Sequence, residues 1–101
     1  MKKEQFETIT KWQEKTFGAQ DATGAVNHLK EEVEELLIAI AFAEDTMHLE
    51  IADCFILLFG IAKKQGMDYD AICDAIDEKH QINVGRKWGQ SEKNGSIKHI
   101  K

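Results

Sequence analysis

Two short carboxylate motifs are the residues in this sequence with the clearest capacity for chemistry. Glu32 and Glu35 lie three residues apart in "HLKEEVEELL", and Glu50 and Asp53 lie three apart in "HLEIADCFILLFGIAKKQG". Residues at this spacing are neighbours on a helix surface, so each pair would present two carboxylates together. Asp53 interrupts an apolar run over residues 51–62, where an ionised carboxylate is costly to bury without a partner. The sequence therefore raises the question of what Asp53 pairs with.

The elements that must position these carboxylates are helices. A chain without proline shows four segments of helical hydrophobic spacing. The first runs from about 3 to 17, and the second runs from the end of "GAQDATG" to about 43. The third begins at its cap, Asp45, and ends at "KKQG", residues 63–66, and the fourth runs from about 69 to 85. The predicted N-caps are Asp21 or Thr23, Asp45 and Asp68, and the predicted stops are Gly18 and Gly66. No segment alternates with period two, so we expect an all-α four-helix bundle over residues 1–88, followed by an irregular tail over 89–101.

Antiparallel packing of the second and third helices would bring the two carboxylate pairs to one level. Each pair lies within about ten residues of a turn at 43–45. Four carboxylates at one level repel one another, so either their pKa values rise and some protonate, or a divalent cation neutralises them. Ligation by oxygen alone suits Mg²⁺ or Mn²⁺, and the absence of Glu-x-x-His at either pair argues against a di-iron bundle.

Hydrophobic patterning also predicts how these helices are buried. Leu29, Val33, Leu36 and Ile40 form a stripe that we expect to face the core. The third helix is apolar around nearly its whole circumference, which predicts burial on all sides. Three other helices in a chain of 101 residues can hardly cover it, so we expect a second subunit to do so.

Composition excludes several classes of function. The chain is 43% apolar and 31% charged, as in ordinary folded proteins, and its net charge of −5 carries no general signal for nucleic acid. Its longest apolar run, about twelve residues, is too short to span a bilayer. Cys54 and Cys73 lack CxxC spacing and no secretory leader is evident, so we expect reduced thiols in a cytoplasmic protein.

Simpler explanations exist for each motif alone. The run "KEEVEE" can be a solvated helix face, and Glu50 can be a first-turn residue that the helix dipole favours. Asp53 can form a structural ion pair, for which the candidate partners are Lys63, Lys64 and Arg86. The conjunction of ExxE, a gap of 14 residues and ExxD in an apolar helix favours a metal site.

The same motifs carry a resemblance to a known family. The pattern "EEVEEL" followed by "EIAD" resembles the EExxE…ExxD signature of the MazG-like all-α nucleoside triphosphate pyrophosphohydrolases. Four ordered blocks extend the likeness over nearly the whole chain, to the short phage-type subgroup of dATP/dGTP diphosphohydrolases. These blocks are "ITKWQEKTFG", "HLKEEVEELLIAI", "EIADCFILLFGIAKKQGMDYDAI" and "EKHQINVGRKWG…NGSIKHIK".

This resemblance implies a set of functional residues and an activity. The implied Mg²⁺ ligands, with Mn²⁺ as the alternative ion, are Glu32, Glu35, Glu50 and Asp53. Glu31 matches an adjacent family glutamate, a candidate base for the attacking water or a supporting group. The family implies a homodimer or homotetramer that hydrolyses an NTP or dNTP to the monophosphate and pyrophosphate.

A triphosphate that enters an acidic cluster also needs cations. Lys79, Asn83 and Arg86 share one face of the fourth helix, so Lys79 and Arg86 are candidate phosphate binders and Asn83 can bind sugar or phosphate. The alternative is a solvated cationic helix end. His28 lies one turn before Glu32 and can approach the site, although a lone helical histidine is more often a packing or surface residue.

The sequence offers aromatic candidates for contact with the base. Trp12, Phe17 and Trp88 can stack on a purine, although such residues are more often part of a core. Purine preference rests on the subgroup resemblance, and a pyrimidine-directed enzyme for dUTP or dCTP is the nearest alternative. Two further alternatives are a non-catalytic nucleotide-binding module and a purely structural helical interaction protein.

Overall fold

The computed structural model describes residues 1–100 and contains four helices and two short strands. The helices are α1 (Lys3–Phe17), α2 (Ala22–Ala41), α3 (Met47–Lys64) and α4 (Tyr69–Val84), and the strands are β1 (Lys87–Ser91) and β2 (Ile97–Ile100). The predicted all-α four-helix fold is confirmed. The chain divides into two compact units, of which Met1–Tyr69 holds α1 to α3 and the second begins at Asp70. None of the described helices combines the length and hydrophobicity that crossing a bilayer requires.

The core of the first unit is built around Phe6. Its side chain is 1% exposed, and its ring packs edge-on against Phe59 of α3, with centroids 5.6 Å apart. The ring of Tyr69 lies at the same distance, and the Tyr69 hydroxyl donates a hydrogen bond to the main-chain oxygen of Met1. These contacts fix α1 against α3, because aromatic side chains contribute the largest apolar areas to a small core.

A five-residue turn, residues 42–46, joins α2 to α3 and makes them antiparallel neighbours. The turn ends α2 with a hydrogen bond from the Glu44 amide to the Ala39 carbonyl, and Ala43 takes the left-handed conformation with φ of 50°. Glycine usually occupies this conformation, because in other residues the Cβ clashes with the backbone and raises the free energy by about 1 kcal/mol. The short turn holds the two carboxylate pairs at the same level.

The helix ends agree only partly with the predicted caps. Asp21 caps α2 as predicted, because its side chain accepts a hydrogen bond from the Gly24 amide. Gly66 follows α3 with φ of 84°, as expected of a glycine stop. The predicted cap at Asp45 is wrong, since Thr46 occupies the N-cap position of α3 without a side-chain hydrogen bond. Gly18 ends α1 in an ordinary right-handed conformation.

The buried face of α2 differs from the predicted stripe. Ala25 and Ala39 are its buried residues, whereas Val33 and Ile40 are about half exposed. Leu29 and Leu36, the other two residues of the predicted stripe, are partly buried. The periodicity predicted the helix correctly, but it assigned Val33 and Ile40 to the inward face, where the structure has Ala25 and Ala39.

A single chain does not bury α3 on all sides, and the predicted cover by a second subunit stays a prediction. No residue of α3 is buried, and Leu49, Phe55 and Leu58 are about half exposed. Large apolar side chains on α2 and α3 are therefore left open to solvent in one copy of this chain.

The second unit corrects the predicted irregular tail. Strands β1 and β2 pair antiparallel, with Lys87 opposite Ile100 and Trp88 opposite His99. Gly95 has φ of 86° in the connecting turn, where the Glu92 amide donates to the Ser96 carbonyl. Glycines and lysines in this segment suggested a loop, but the "NGS" sequence supplies the turn that closes a hairpin.

Candidate functional site

Three carboxylates from two helices meet where the middle of α2 lies beside the first turn of α3. One oxygen from each of Glu32, Glu35 and Glu50 lies within 4.8 Å of the other two. Glu32 and Glu35 come from successive turns of one face of α2, and Glu50 comes from the first turn of α3. Oxygen atoms at this separation can share one cation, or a pair of cations.

The cluster carries an electrostatic cost that a cation would remove. Burial raises the pKa of Glu32 above its ordinary value of 4.5, and the adjacent carboxylates of Glu35 and Asp53 raise it further. His28 acts in the opposite direction, since its Nε2 lies 3.4 Å from a Glu32 oxygen. Raised carboxylate pKa values caused by neighbouring carboxylates are a common mark of metal and catalytic sites.

Glu50 shows the strongest sign of a ligand. Its Oε2 is buried, and no group among residues 1–100 donates a hydrogen bond to it. Leaving a buried carboxylate oxygen without a partner costs more than an ordinary lost hydrogen bond. A hard divalent cation fits this donor set, because all three residues offer oxygen and an ion would pair the atom that the protein leaves without one.

Asp53 lies beside the cluster but outside the group of three. Its side chain is exposed in the single chain, yet its charge is close enough to raise the pKa of Glu32. In the described part of the chain it forms no ion pair with Lys63 or Lys64, which were two of its alternative partners. The sequence raised the question of what Asp53 pairs with. In one subunit it pairs with neither of these lysines, and it remains open to solvent next to the other carboxylates.

Cys54 adjoins the same cluster. Burial raises the pKa of its thiol, and the charges of Glu32, Asp53 and Glu50 raise it further. A thiol in this environment stays protonated at neutral pH and is a poor nucleophile. The site is thus suited to metal-assisted chemistry rather than to covalent catalysis by cysteine.

A cavity of about 290 Å³ lies among α1, α2 and α3 beside the acidic cluster. Its lining combines aromatic, amide and cationic side chains with small residues. Members from α1 and the segment after it are Thr10, Gln13, Glu14, Phe17, Gly18 and Gln20; those from α2 and α3 are Ala25, His28, Leu57, Gly60, Lys63 and Lys64. His28 belongs to this lining and also contacts Glu32, so it connects the cavity to the carboxylates.

The other predicted residues of the first unit are less closely placed. Phe17 lines the cavity, whereas Trp12 is 57% exposed, packs edge-on against Phe17 and is not part of the lining. Glu31 is exposed on α2, next to Glu32 in the chain.

The remaining predicted substrate contacts belong to the second unit. Lys79 is exposed, and Asn83 and Arg86 are partly buried. Trp88 donates a hydrogen bond from Nε1 to the main-chain carbonyl of Asn83, 3.0 Å away, and its ring packs edge-on against His99. Their roles in binding phosphate and base stay predictions.

Of the cavity wall, sequence reasoning predicted only Phe17 and His28 as substrate contacts, and Gln13 and Gly60 are among the residues that it missed. No local signal in the sequence distinguishes Gln13 from the other polar residues of the first helix. Gly60 stands inside the apolar run "FILLFGIAKK", and a glycine in a helix interior often marks close approach by another group. That signal was available in the sequence, but it does not reveal which group approaches.

Comparison with known proteins agrees with this geometry. No curated protein sequence gives a significant match. Among solved structures, the chain is similar to a cyanophage S-2L MazG-like pyrophosphohydrolase bound to dGDP and three catalytic Mn²⁺ ions per active site. The TM-score is 0.77 at 29% identity, over 100% of this chain and 99% of that one. The family model for dATP/dGTP pyrophosphohydrolase matches residues 5–101. The family model matches nearly the whole length of a chain that has a MazG-like helical fold and an acidic cluster with oxygen ligands only. This chain therefore belongs to the dATP/dGTP pyrophosphohydrolase family.

Proposed function

We propose that this enzyme hydrolyses a purine deoxynucleoside triphosphate, dATP or dGTP, to the monophosphate and pyrophosphate with Mg²⁺ or Mn²⁺. The observation that carries the proposal is the cluster of Glu32, Glu35 and Glu50 with its unpaired, buried Glu50 oxygen. The family description supplies the substrate class, and the nucleotide and Mn²⁺ ions of the cyanophage relative support it.

In this proposal the carboxylates hold the metal and shape the reaction centre. Glu32, Glu35 and Glu50 are the metal ligands, and Asp53 joins them from the next turn of α3. A divalent cation held by these carboxylates would polarise the phosphate oxygens and would help to activate water as the nucleophile. His28 keeps the Glu32 carboxylate oriented through its 3.4 Å contact.

The bond changes follow from the products. A water oxygen bonds to the α-phosphorus, and the bond from that phosphorus to the bridging oxygen breaks, so that pyrophosphate leaves with the bonding electrons. Glu31, exposed beside Glu32, takes the proton of the attacking water. Lys79 and Arg86 offset the negative charge of the triphosphate, and Asn83 donates a hydrogen bond to sugar or phosphate. Trp12, Phe17 and Trp88 are the candidate aromatic contacts of the base, and of these Phe17 lines the cavity.

Separate detection of pyrophosphate and phosphate tests this function. Purified protein with Mg²⁺ or Mn²⁺ is incubated with each canonical dNTP, and both products are measured. We expect one pyrophosphate and one monophosphate per dATP or dGTP consumed. Release of inorganic phosphate instead would place cleavage at the β–γ bond, and a preference for dUTP or dCTP would refute the purine assignment. No turnover of any canonical nucleotide would refute the enzymatic proposal.

The exposed apolar side chains support association of identical subunits. Leu37 on α2 is 68% exposed, and Phe55 and Leu58 on α3 are about half exposed. We propose a homodimer or homotetramer in which a second copy covers α3, because apolar surface of this kind is costly in water. Light scattering after size-exclusion chromatography should give at least twice the mass of one chain. Phe55→Glu should shift this mass toward the monomer, and a monomeric wild-type protein would refute the proposal.

A further inference from the structure

The side chain of Gln13 is held in a defined orientation at the cavity wall. Its Nε2 donates a hydrogen bond to the main-chain carbonyl of Ile56 at 2.8 Å. Because that carbonyl can only accept, the amide nitrogen must face it and Oε1 must point the other way. Oε1 is buried, and no described group donates a hydrogen bond to it.

Gly60 makes this arrangement possible. A Cβ at position 60 would lie 3.0 Å from both Nε2 and Oε1 of Gln13, closer than side chains normally approach. The absence of a side chain therefore lets the Gln13 amide lie against α3. Both residues line the cavity, so the amide forms part of its wall.

An acceptor of this kind is well suited to recognise a donor on a ligand. Water does not reach Oε1 in the free protein, so the atom has no hydrogen bond to lose when a ligand arrives. Because Oε1 is covered in the free protein and Gln13 lines the cavity, a ligand there reaches the atom only when the side chain turns toward it. A ligand with an N–H group there gains a full hydrogen bond, whereas a ligand without one leaves the acceptor unpaired.

The cavity has the size and position of a base site. At about 290 Å³ it has the volume of about ten liquid water molecules, which is enough for a nucleobase and part of a sugar. Phe17 supplies an aromatic surface in the lining. Along α3, Gly60 lies about 10 Å from Asp53 at the usual rise per residue. That distance is comparable with the reach of a nucleoside from its base to its 5′-phosphate, and His28 lines the path between them.

We propose that Gln13, held by Ile56 and accommodated by Gly60, determines specificity by accepting a hydrogen bond from the exocyclic amino group of a purine base in this cavity. This inference rests on the proposed function, since it assigns the base end of the same substrate. It assigns the base to a wall of the cavity that contains neither Trp12 nor Trp88.

Matched nucleotide pairs that differ only by the amino group test the inference. dATP is compared with 2′-deoxynebularine triphosphate, which lacks the 6-amino group, and dGTP with dITP, which lacks the 2-amino group. We expect kcat/KM of the wild type to fall about 10- to 100-fold in at least one pair when the amino group is removed. In Gln13→Met, which keeps the side-chain length but has no hydrogen-bonding group, the two members of that pair should differ by less than about threefold.

Binding and control variants separate this inference from the proposed function. The corresponding monophosphates are titrated by ligand-observed NMR, so the amino-group effect is measured even if no nucleotide is hydrolysed. Gln5→Met makes the same change at an exposed position of α1 and should keep the wild-type discrimination. Gly60→Ala should lose the discrimination as Gln13→Met does, because its Cβ displaces the Gln13 amide.

Three results would overturn the inference. One is that the wild type binds and turns over both members of each pair equally. This result needs no variant, so it decides the question even if Gln13→Met does not fold. Another is discrimination that persists in folded Gln13→Met. The third is discrimination that Gln5→Met abolishes equally.

Discussion

Glu50→Gln is expected to reduce pyrophosphate release by about 10³-fold or more while leaving the helical fold intact. The change keeps the shape of the side chain and removes the charge from the buried oxygen that has no protein partner. A metal contributes several kcal/mol to the stabilisation of transition-state charge, and each 1.36 kcal/mol is a factor of ten in rate. The measurement is kcat/KM for dATP and dGTP at a fixed Mn²⁺ concentration, with circular dichroism as the test of folding.

Two further variants make this result specific. Glu34→Gln removes a carboxylate from an exposed position of the same acidic run and should leave kcat/KM within about twofold of the wild type, as surface changes away from a site usually do. Asp53→Asn should cause a loss comparable with that of Glu50→Gln if Asp53 is a ligand, as we propose. Full activity of Glu50→Gln would exclude the carboxylate cluster as the metal site.

Binding of Mn²⁺ is expected to raise the Tm of the protein by about 10–20 °C at a metal concentration of about 100 times Kd. An ion that binds only the folded chain at this excess contributes about 2.7 kcal/mol, and each kcal/mol shifts the Tm of a domain of this size by about 4–8 °C. Relief of the repulsion that Glu35 and Asp53 exert on Glu32 is the physical source of the effect. Differential scanning calorimetry with and without Mn²⁺, and after addition of EDTA, measures it.

The same experiment has a predicted dependence on pH. Glu32 has a folded-state pKa above its ordinary value of 4.5, so the folded chain holds this proton more tightly than the unfolded chain does. The metal-free protein therefore loses stability from this group as the pH rises from about 4.5 through the raised pKa. Mn²⁺ competes with the proton, so its effect on Tm should be larger at pH 7 than at pH 5. A Tm that Mn²⁺ raises equally in wild type and Glu50→Gln would contradict binding at this cluster.

Local sequence signals were sufficient for the helices. Spacing of apolar residues, the Asp21 cap and the Gly66 stop each act within a few residues, so α1 to α4 follow from the sequence alone. The rise per residue in a helix is fixed, so the length of the turn and the number of residues from it set the level of each motif. This is why ExxE and ExxD were expected at one level of α2 and α3. The family resemblance drawn from these motifs is confirmed by the family model and by the structural match.

Packing and pairing were harder to predict. The helical period of α2 is compatible with more than one inward face, and the packed structure buries Ala25 and Ala39 while Val33 and Ile40 stay about half exposed. The hairpin of β1 and β2 depends on pairing between two segments, neither of which shows a strand pattern by itself. Burial of α3 was inferred from its hydrophobicity, but one chain alone does not bury it.

The sequence by itself determined the helices, the two carboxylate pairs and the family, because these depend on residue types at short, fixed spacings. Only the tertiary structure decided which oxygen atoms meet, that Glu50 carries a buried oxygen without a partner, and that Asp53 remains exposed beside them. It also decided that Gln13 of α1 lies against Gly60 of α3. These features depend on contacts between residues distant in the chain, and the rotation of each helix about its axis sets them.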